Sequence, residues 1–191
     1  MNKKRPTWTE YFIEITKLTS SRSNCIKKQV GCIIVKNNRI ISTGYNGTPF
    51  GITNCFDGGC LRCCTNTESG SNLDMCICLH AEENALLSVS FYDTKDATLY
   101  CTHFPCLSCA KKIVQCKISK VIYINDYCSS LKEITDKLFL ESKIIVEKFN
   151  EKIKNKQVEI NELRKDIEIK DIEIKDLKSE IENIRNRFFL F

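Results

Sequence analysis

Two short stretches constrain this chain more than anything else in it: LHAEENALL at residues 79–87 and FPCLSCAKKI at 104–113. The first sets His80 and Glu82 one residue apart where a helix-like apolar pattern begins. The second holds Pro105, then Cys106 and Cys109 with two residues between them. One imidazole and two thiolates make three ligands for Zn2+ and leave the fourth tetrahedral position open, as in a catalytic rather than a closed structural site. An open position can hold a water whose pKa the metal lowers to about 7. Glu82 can point into the same pocket as His80, take that water's proton and pass it on. A helix starting near Cys106 adds its positive end and favours the thiolates.

The chain carries 13 cysteines in 191 residues. An odd count in a chain of this length, with no apolar segment after the charged N-terminus MNKKRPTWTEYF, fits thiolate metal ligands in a reducing compartment better than disulfides. The expected location is therefore cytoplasmic. No apolar run approaches the ~20 residues of a membrane span, so no membrane association is expected. The net charge is +5, and the excess lies wholly before residue 150. That mild excess suits a small anionic substrate such as a nucleotide and lacks the dense basic stripe of a nucleic-acid binder.

The periodicities divide the chain in two. Residues 7–21 read as an amphipathic helix through Trp8, Tyr11, Phe12, Ile15 and Leu18. Strand-like runs follow at 30–35 and 39–45, joined by a turn at KNN, 36–38. Residues 46–78 read as a long loop rich in Gly, Asn, Thr and Cys, which a metal would pin. Then come a helix over about 80–90, a strand at 97–102, a helix at 106–116, a strand at 120–125, a helix at 131–140 and a last strand at 143–149. Such alternation predicts one sheet with helices on both faces, an α/β/α sandwich spanning residues 1–149.

Residues 150–191 differ. Ile153, Ile160, Ile167, Ile174, Ile181 and Phe188 recur every seven residues, with Leu163, Leu177 and Ile184 on the companion positions. Pro and Gly are absent, and Lys156 and Lys170 interrupt the seam. This predicts a coiled-coil helix, self-associating or joined to a partner helix. A period-five element, DIEIKDIEIKD, places Ile169 and Ile172 off the seam and leaves the oligomer order open.

The spacing H-x-E…P-C-x-x-C is the signature of zinc nucleobase deaminases. Beyond it, residues 7–149 resemble the deoxycytidylate (dCMP) deaminases. The resemblance rests on WTEYF (8–12), VGCIIV (30–35), GYNGTP (44–49), NCFDGGCLRC (54–63), CICLHAEENALL (76–87) and PCLSCAKKIVQ (105–115). It implies a three-layer α/β/α cytidine-deaminase fold and the reaction dCMP + H2O → dUMP + NH3, which supplies dUMP for thymidylate synthesis. It implies catalytic zinc on His80, Cys106 and Cys109, with Glu82 as the proton shuttle. Asn46 would face the nucleotide sugar, and the glycines at 44 and 47 permit tight turns around it.

The resemblance also implies activation by dCTP with Mg2+, inhibition by dTTP, and a homo-oligomer. Several relatives carry Arg where Phe91 stands here, in a region near subunit contacts. A second, structural zinc is implied on four of Cys25, Cys55, Cys60, Cys63, Cys76 and Cys78. The favoured set is Cys25 and Cys55 with one each of Cys60/Cys63 and Cys76/Cys78, and Cys64 is a spare. No motif marks the phosphate ligands; Arg22, Lys27 and Lys28 are chosen by charge. Two other readings compete: a deaminase of another nucleobase, and a zinc-stabilised scaffold acting through its coiled coil, which would have no use for Glu82.

Overall fold

The computed structural model describes residues 5–65, 72, 75–127 and 131–188, with side chains in the last helix described at 160, 163–183 and 185. It divides into two compact units between Phe149 and Asn150.

The first helix, α1 (Trp8–Ser20), starts at Thr7, whose hydroxyl accepts from the Glu10 N–H while the Glu10 carboxylate accepts from the Thr7 N–H. This reciprocal cap satisfies two of the donors that every helix start leaves over. Strands β1 (Gly31–Lys36) and β2 (Arg39–Tyr45) form a hairpin with Lys36 opposite Arg39. Asn37 and Asn38 both adopt positive φ, 51° and 58°, as a two-residue turn between twisted strands requires.

The expected long loop contains a 3-10 turn at Cys55–Asp57 and a helical turn, α2 (Leu61–Cys64); residues 66–71, 73 and 74 lie outside the described residues. The helix expected over 80–90 is shorter, α3 (Ala81–Leu87). Ser88 turns its hydroxyl back onto the Asn84 carbonyl at 2.8 Å, and Ser90 starts a separate turn, α4 (Phe91–Thr94). The remainder runs β3 (Thr98–His103), α5 (Leu107–Gln115), β4 (Lys120–Asn125), α6 (Lys132–Glu141) and β5 (Ile145–Lys148).

The sheet order is β2-β1-β3-β4-β5, with β1 antiparallel to both neighbours and β3, β4 and β5 parallel. Alternation along the strands sorts the core. Cys32, Ile34, Leu99, Cys101, Val121 and Tyr123 pack with Ala85 and Leu86 of α3, Ala110 and Ile113 of α5 and Phe139 of α6. Ile33, Val35, Tyr100 and Ile122 face the other way, against Phe12 and Ile13 of α1. The result is the three-layer α/β/α sandwich. At Gly31 a Cβ would lie 2.4 Å from the Thr16 carbonyl oxygen, so only glycine lets α1 close on β1.

In the second unit, α7 (Glu151–Phe188) is a 38-residue helix. Ile160, Leu163, Ile167, Ile174, Leu177 and Ile181 of the heptad seam are exposed, as are Ile169 and Ile172. The side chains of Ile153, Lys156, Ile184 and Phe188 lie outside the described set. No helix among the described residues is long and apolar enough to cross a membrane.

Candidate active site

Two helix starts meet at the carboxyl ends of the strands, where open α/β sheets bind ligands. His80 is the N-cap of α3 and Cys106 the N-cap of α5. Cys109 sits in the first turn of α5, buried. The Sγ atoms of Cys106 and Cys109 each lie 3.4 Å from His80 Nδ1. A tetrahedral ion with Zn–S of about 2.3 Å and Zn–N of about 2.0–2.1 Å spaces such atoms roughly 3.5 Å apart, so the trio has the span of a metal site. His80, Cys106 and Cys109 could hold a metal ion, their ligand atoms all within 4.8 Å of one another.

The framework fixes these positions. Ser42 of β2 donates to the Ala85 carbonyl at 2.6 Å, and Asn84 donates to the Tyr45 carbonyl at 2.7 Å. A Cβ at Gly44 would lie 2.2 Å from the Ala81 carbonyl oxygen, so α3 rests directly on the β2 backbone. Gly47 and Leu79 exchange backbone hydrogen bonds, tying the GYNG segment to the residue before His80. From the other side, Lys112 of α5 pairs with Glu83 of α3 at 2.6 Å.

The three side chains shift one another's protonation. The Cys106 thiol is pulled down to about 4 by a hydrogen bond from Cys109, with His80 reinforcing it and burial opposing. His80 is pushed up to about 9 by its hydrogen bond to Cys106, against burial. Cys109, donor in that pair, moves up. Glu82 follows His80 into the first turn of α3 and is only 4% exposed. Burial raises its pKa, opposed by the positive charge of His80. A carboxyl raised in this way holds a proton more readily than an exposed one, as a proton shuttle must.

A cavity of ≈ 120 Å³ opens onto His80, Glu82 and Cys106. Phe104, Tyr127 and Val30 form apolar wall, while Lys27, Lys28, Arg62 and His103 bring cationic or polar groups. Asn46 also lines it, but its side chain is largely engaged. Its Oδ1 accepts from Ser23 Oγ and from the Val30 N–H, both at 2.7 Å, and its Nδ2 donates to the Lys28 carbonyl at 2.8 Å. Asn46 thus shapes the 23–30 segment and leaves one amide hydrogen for a ligand. Arg22 is exposed and does not line this cavity, unlike its neighbours in charge Lys27 and Lys28.

Three lining residues with polar groups carry no marking in the sequence motifs: Arg62, His103 and Tyr127. A signal existed for two of them. His103 is one of only two histidines and ends β3, just ahead of Cys106. Its ring is held down to about 4 by burial and by the charge of Lys28, and Thr102 Oγ1 lies 3.0 Å from its Nδ1. Arg62, 7% exposed, stands between Cys60 and Cys63, whose spacing marks this stretch of the loop.

Beside this cavity, which Cys25, Cys63, Cys76 and Cys78 also line, the six loop cysteines cluster together. Cys25, Cys55, Cys60, Cys63 and Cys78 are buried against one another, with Cys76 packed on them. Two four-cysteine groups could hold a metal: Cys25, Cys55, Cys63 and Cys78, and Cys60, Cys63, Cys76 and Cys78. Cys64 is exposed and belongs to neither.

Comparison with known proteins agrees with this geometry. Residues 6–125 match the family described as cytidine and deoxycytidylate deaminase zinc-binding region. The chain is 51% identical over 127 residues to the deoxycytidylate deaminase of Schizosaccharomyces pombe, covering 66% of this chain and 39% of that protein. It is 54% identical over 124 residues to the Saccharomyces cerevisiae deoxycytidylate deaminase, covering 64% and 39%. The chain thus spans about two fifths of the length of these two relatives. Among solved structures, the dCMP deaminase of cyanophage S-TIM5 in complex with dCMP and dUMP superposes with a TM-score of 0.57 at 34% identity. That match covers 76% of this chain and 99% of the phage chain. With the H-x-E and P-C-x-x-C segments folded against one cavity and most of the sandwich inside the matched region, the chain belongs to the cytidine and deoxycytidylate deaminase zinc-binding family.

Proposed function

We propose that residues 1–149 form a zinc-dependent deaminase domain that converts dCMP and water to dUMP and ammonia, supplying dUMP for thymidylate synthesis. The observation that carries this reading is Glu82, a buried carboxyl in the cavity beside three metal-capable ligand atoms. A scaffold has no need of such a group. The named activity of the yeast and phage relatives supports the choice of substrate.

In this reading His80, Cys106 and Cys109 hold the catalytic zinc. When bound, zinc lowers the pKa of a water to about 7 and so supplies a nucleophile at neutral pH. Glu82 carries the protons. It accepts the first from the attacking water as the bond from oxygen to C4 forms, and delivers it to ring N3. It then takes the second and gives it to the amino group, so that the C4–N bond breaks and ammonia leaves. Phe104, Tyr127 and Val30 would cover the base, and the free amide hydrogen of Asn46 would reach the sugar. Lys27, Lys28 and Arg62 would receive the phosphate, a fork-shaped guanidinium being well matched to it.

A further zinc on four of the six loop cysteines would pin residues 46–78. The exposed heptad seam of α7 supports a coiled coil, with self-association as the favoured role. Deleting residues 150–191 should lower the mass in solution, and an unchanged mass would remove that role.

The direct test is the ultraviolet absorbance of dCMP incubated with the full chain, beside a Glu82→Gln control. We expect conversion to dUMP, reduced about 10²–10⁴-fold in the control with zinc content unchanged. No conversion by the zinc-loaded chain would refute the reading. Adding dCTP with Mg2+, or dTTP, to the same assay tests whether nucleotide regulation operates with Phe91 in place.

A further inference from the structure

The six-cysteine cluster has an arithmetic that a single metal does not explain. Its two metal-capable groups share Cys63 and Cys78 and nothing else. Each group adds a private pair, Cys25 with Cys55 and Cys60 with Cys76. Two tetrahedral ions that share an edge of two bridging sulfurs need six thiolates arranged in this way, two bridging and two terminal on each ion. We infer that all six cysteines form one binuclear thiolate site holding two Zn2+ ions, bridged by Cys63 and Cys78. The inference rests on the metal reading of the loop given above, and not on the deaminase chemistry.

The distances fit. A Zn–S length of about 2.3 Å sets the edge of a ZnS4 tetrahedron at about 3.8 Å. Cys60 and Cys76 Sγ are 3.8 Å apart, and Cys63 and Cys76 Sγ are 3.9 Å apart. All six are free thiols, and these separations far exceed the ~2.05 Å of a disulfide.

The alternatives leave sulfur over. One ion on the first group abandons Cys60, which is 0% exposed, together with Cys76. One ion on the second abandons Cys25 and Cys55, at 7% and 0%. The leftover pair is not packing an aliphatic core, because among the described residues the cluster consists of cysteines alone. Charge is no obstacle to two ions. With one Zn2+ two cysteines stay behind as buried neutral thiols, whereas six thiolates with two Zn2+ carry −2, the same as an ordinary four-thiolate site. Each thiol gives up its proton on binding, so assembly is favoured as pH rises. The ligand type selects Zn2+ among hard and borderline ions, since thiolate suits neither Mg2+ nor Ca2+.

The test is a metal count on the full chain purified under reducing conditions, by native mass spectrometry. We expect three Zn2+ per chain, and two in Cys109→Ser, where only the cluster's ions remain. The double variant Cys60→Ser/Cys76→Ser should lose one ion and keep the one on Cys25, Cys55, Cys63 and Cys78. One ion in Cys109→Ser, or a double variant with the wild-type count, would overturn the inference. Should the double variant fail to fold, cadmium-113 NMR of the cadmium-loaded wild-type chain decides. Two cluster resonances split by each other through shared sulfurs are expected, and unsplit resonances refute the bridge. A chain that holds three Zn2+ yet leaves dCMP unchanged would refute the proposed function and leave this site standing.

Discussion

The two metal-capable regions lie close in sequence and are built on opposite principles. His80, Cys106 and Cys109 hang on two helix starts that the sheet already holds in place, through Ser42, Gly44, Asn84 and the Lys112–Glu83 pair. The six loop cysteines come from segments with a 3-10 turn and one helical turn between them, and bury sulfur against sulfur. In the first region the fold places the ligands. In the second, the ligands must place the chain. Removing metal should therefore cost the first region its chemistry and the second its structure.

That contrast gives the largest expected effect. Cys63→Ser, which touches both four-cysteine groups, should lower the melting temperature by about 10 °C, as a loss of several kcal/mol does in a chain of this size. Cys109→Ser should move it by under about 3 °C while abolishing deamination. Differential scanning calorimetry beside the absorbance assay reads both. Equal melting temperatures for the two variants would break the comparison.

The next effect sharpens the claim that the fold places the trio. At Gly44 a Cβ would also lie 2.4 Å from the Ala85 amide nitrogen, so Gly44→Ala must push α3 away from β2. His80 and Glu82 travel with that helix. A displacement near 1 Å should reduce kcat about 10²-fold with zinc retained. Unchanged kcat would mean that the ligands, and not the sheet, set the geometry.

The same contrast explains what could be read in the sequence. The central strands announced themselves because both of their faces are buried, as at Cys32, Ile33, Ile34 and Val35. The KNN turn followed from its asparagines, which tolerate positive φ. The trio was legible because metal chemistry restricts ligand type and spacing so strongly. The path of the loop was not, because residues 46–78 follow no period: their positions depend on which sulfurs come together, a long-range pairing with no local signature. Arg62 was hidden for that reason. Asn46 stands in the GYNG segment, yet its hydrogen bonds to Ser23, Val30 and Lys28 depend on a contact made across the fold.

Arg62 joins the two regions, since it stands on the cysteine loop and lines the active cavity. Arg62→Met should raise KM for dCMP about tenfold, the worth of one charge-assisted hydrogen bond. Activity on deoxycytidine, which lacks the phosphate, should stay the same. Equal losses on both substrates would point instead to a collapsed loop and move Arg62 from binding to structure.

His103 gives the smallest effect and tests the sheet side of the cavity. Its ring is held at about 4, by burial first and the Lys28 charge second, against an ordinary 6.5. Above pH 6.5 the imidazole is neutral in the folded and the unfolded chain, and contributes no pH dependence. Between 6.5 and about 4 the unfolded chain binds a proton that the folded chain refuses, so stability falls as pH falls. Below about 4 both forms are protonated and the loss is complete. The thiolate sites also take up protons in acid, so the quantity to measure is the difference between wild type and His103→Gln. Denaturant midpoints from pH 7.5 to pH 4.5 should converge as the pH drops, because the variant lacks this one penalty. Parallel curves would show that the ring titrates freely in the folded chain, and that this wall of the cavity is wetter than its packing against Thr102 implies.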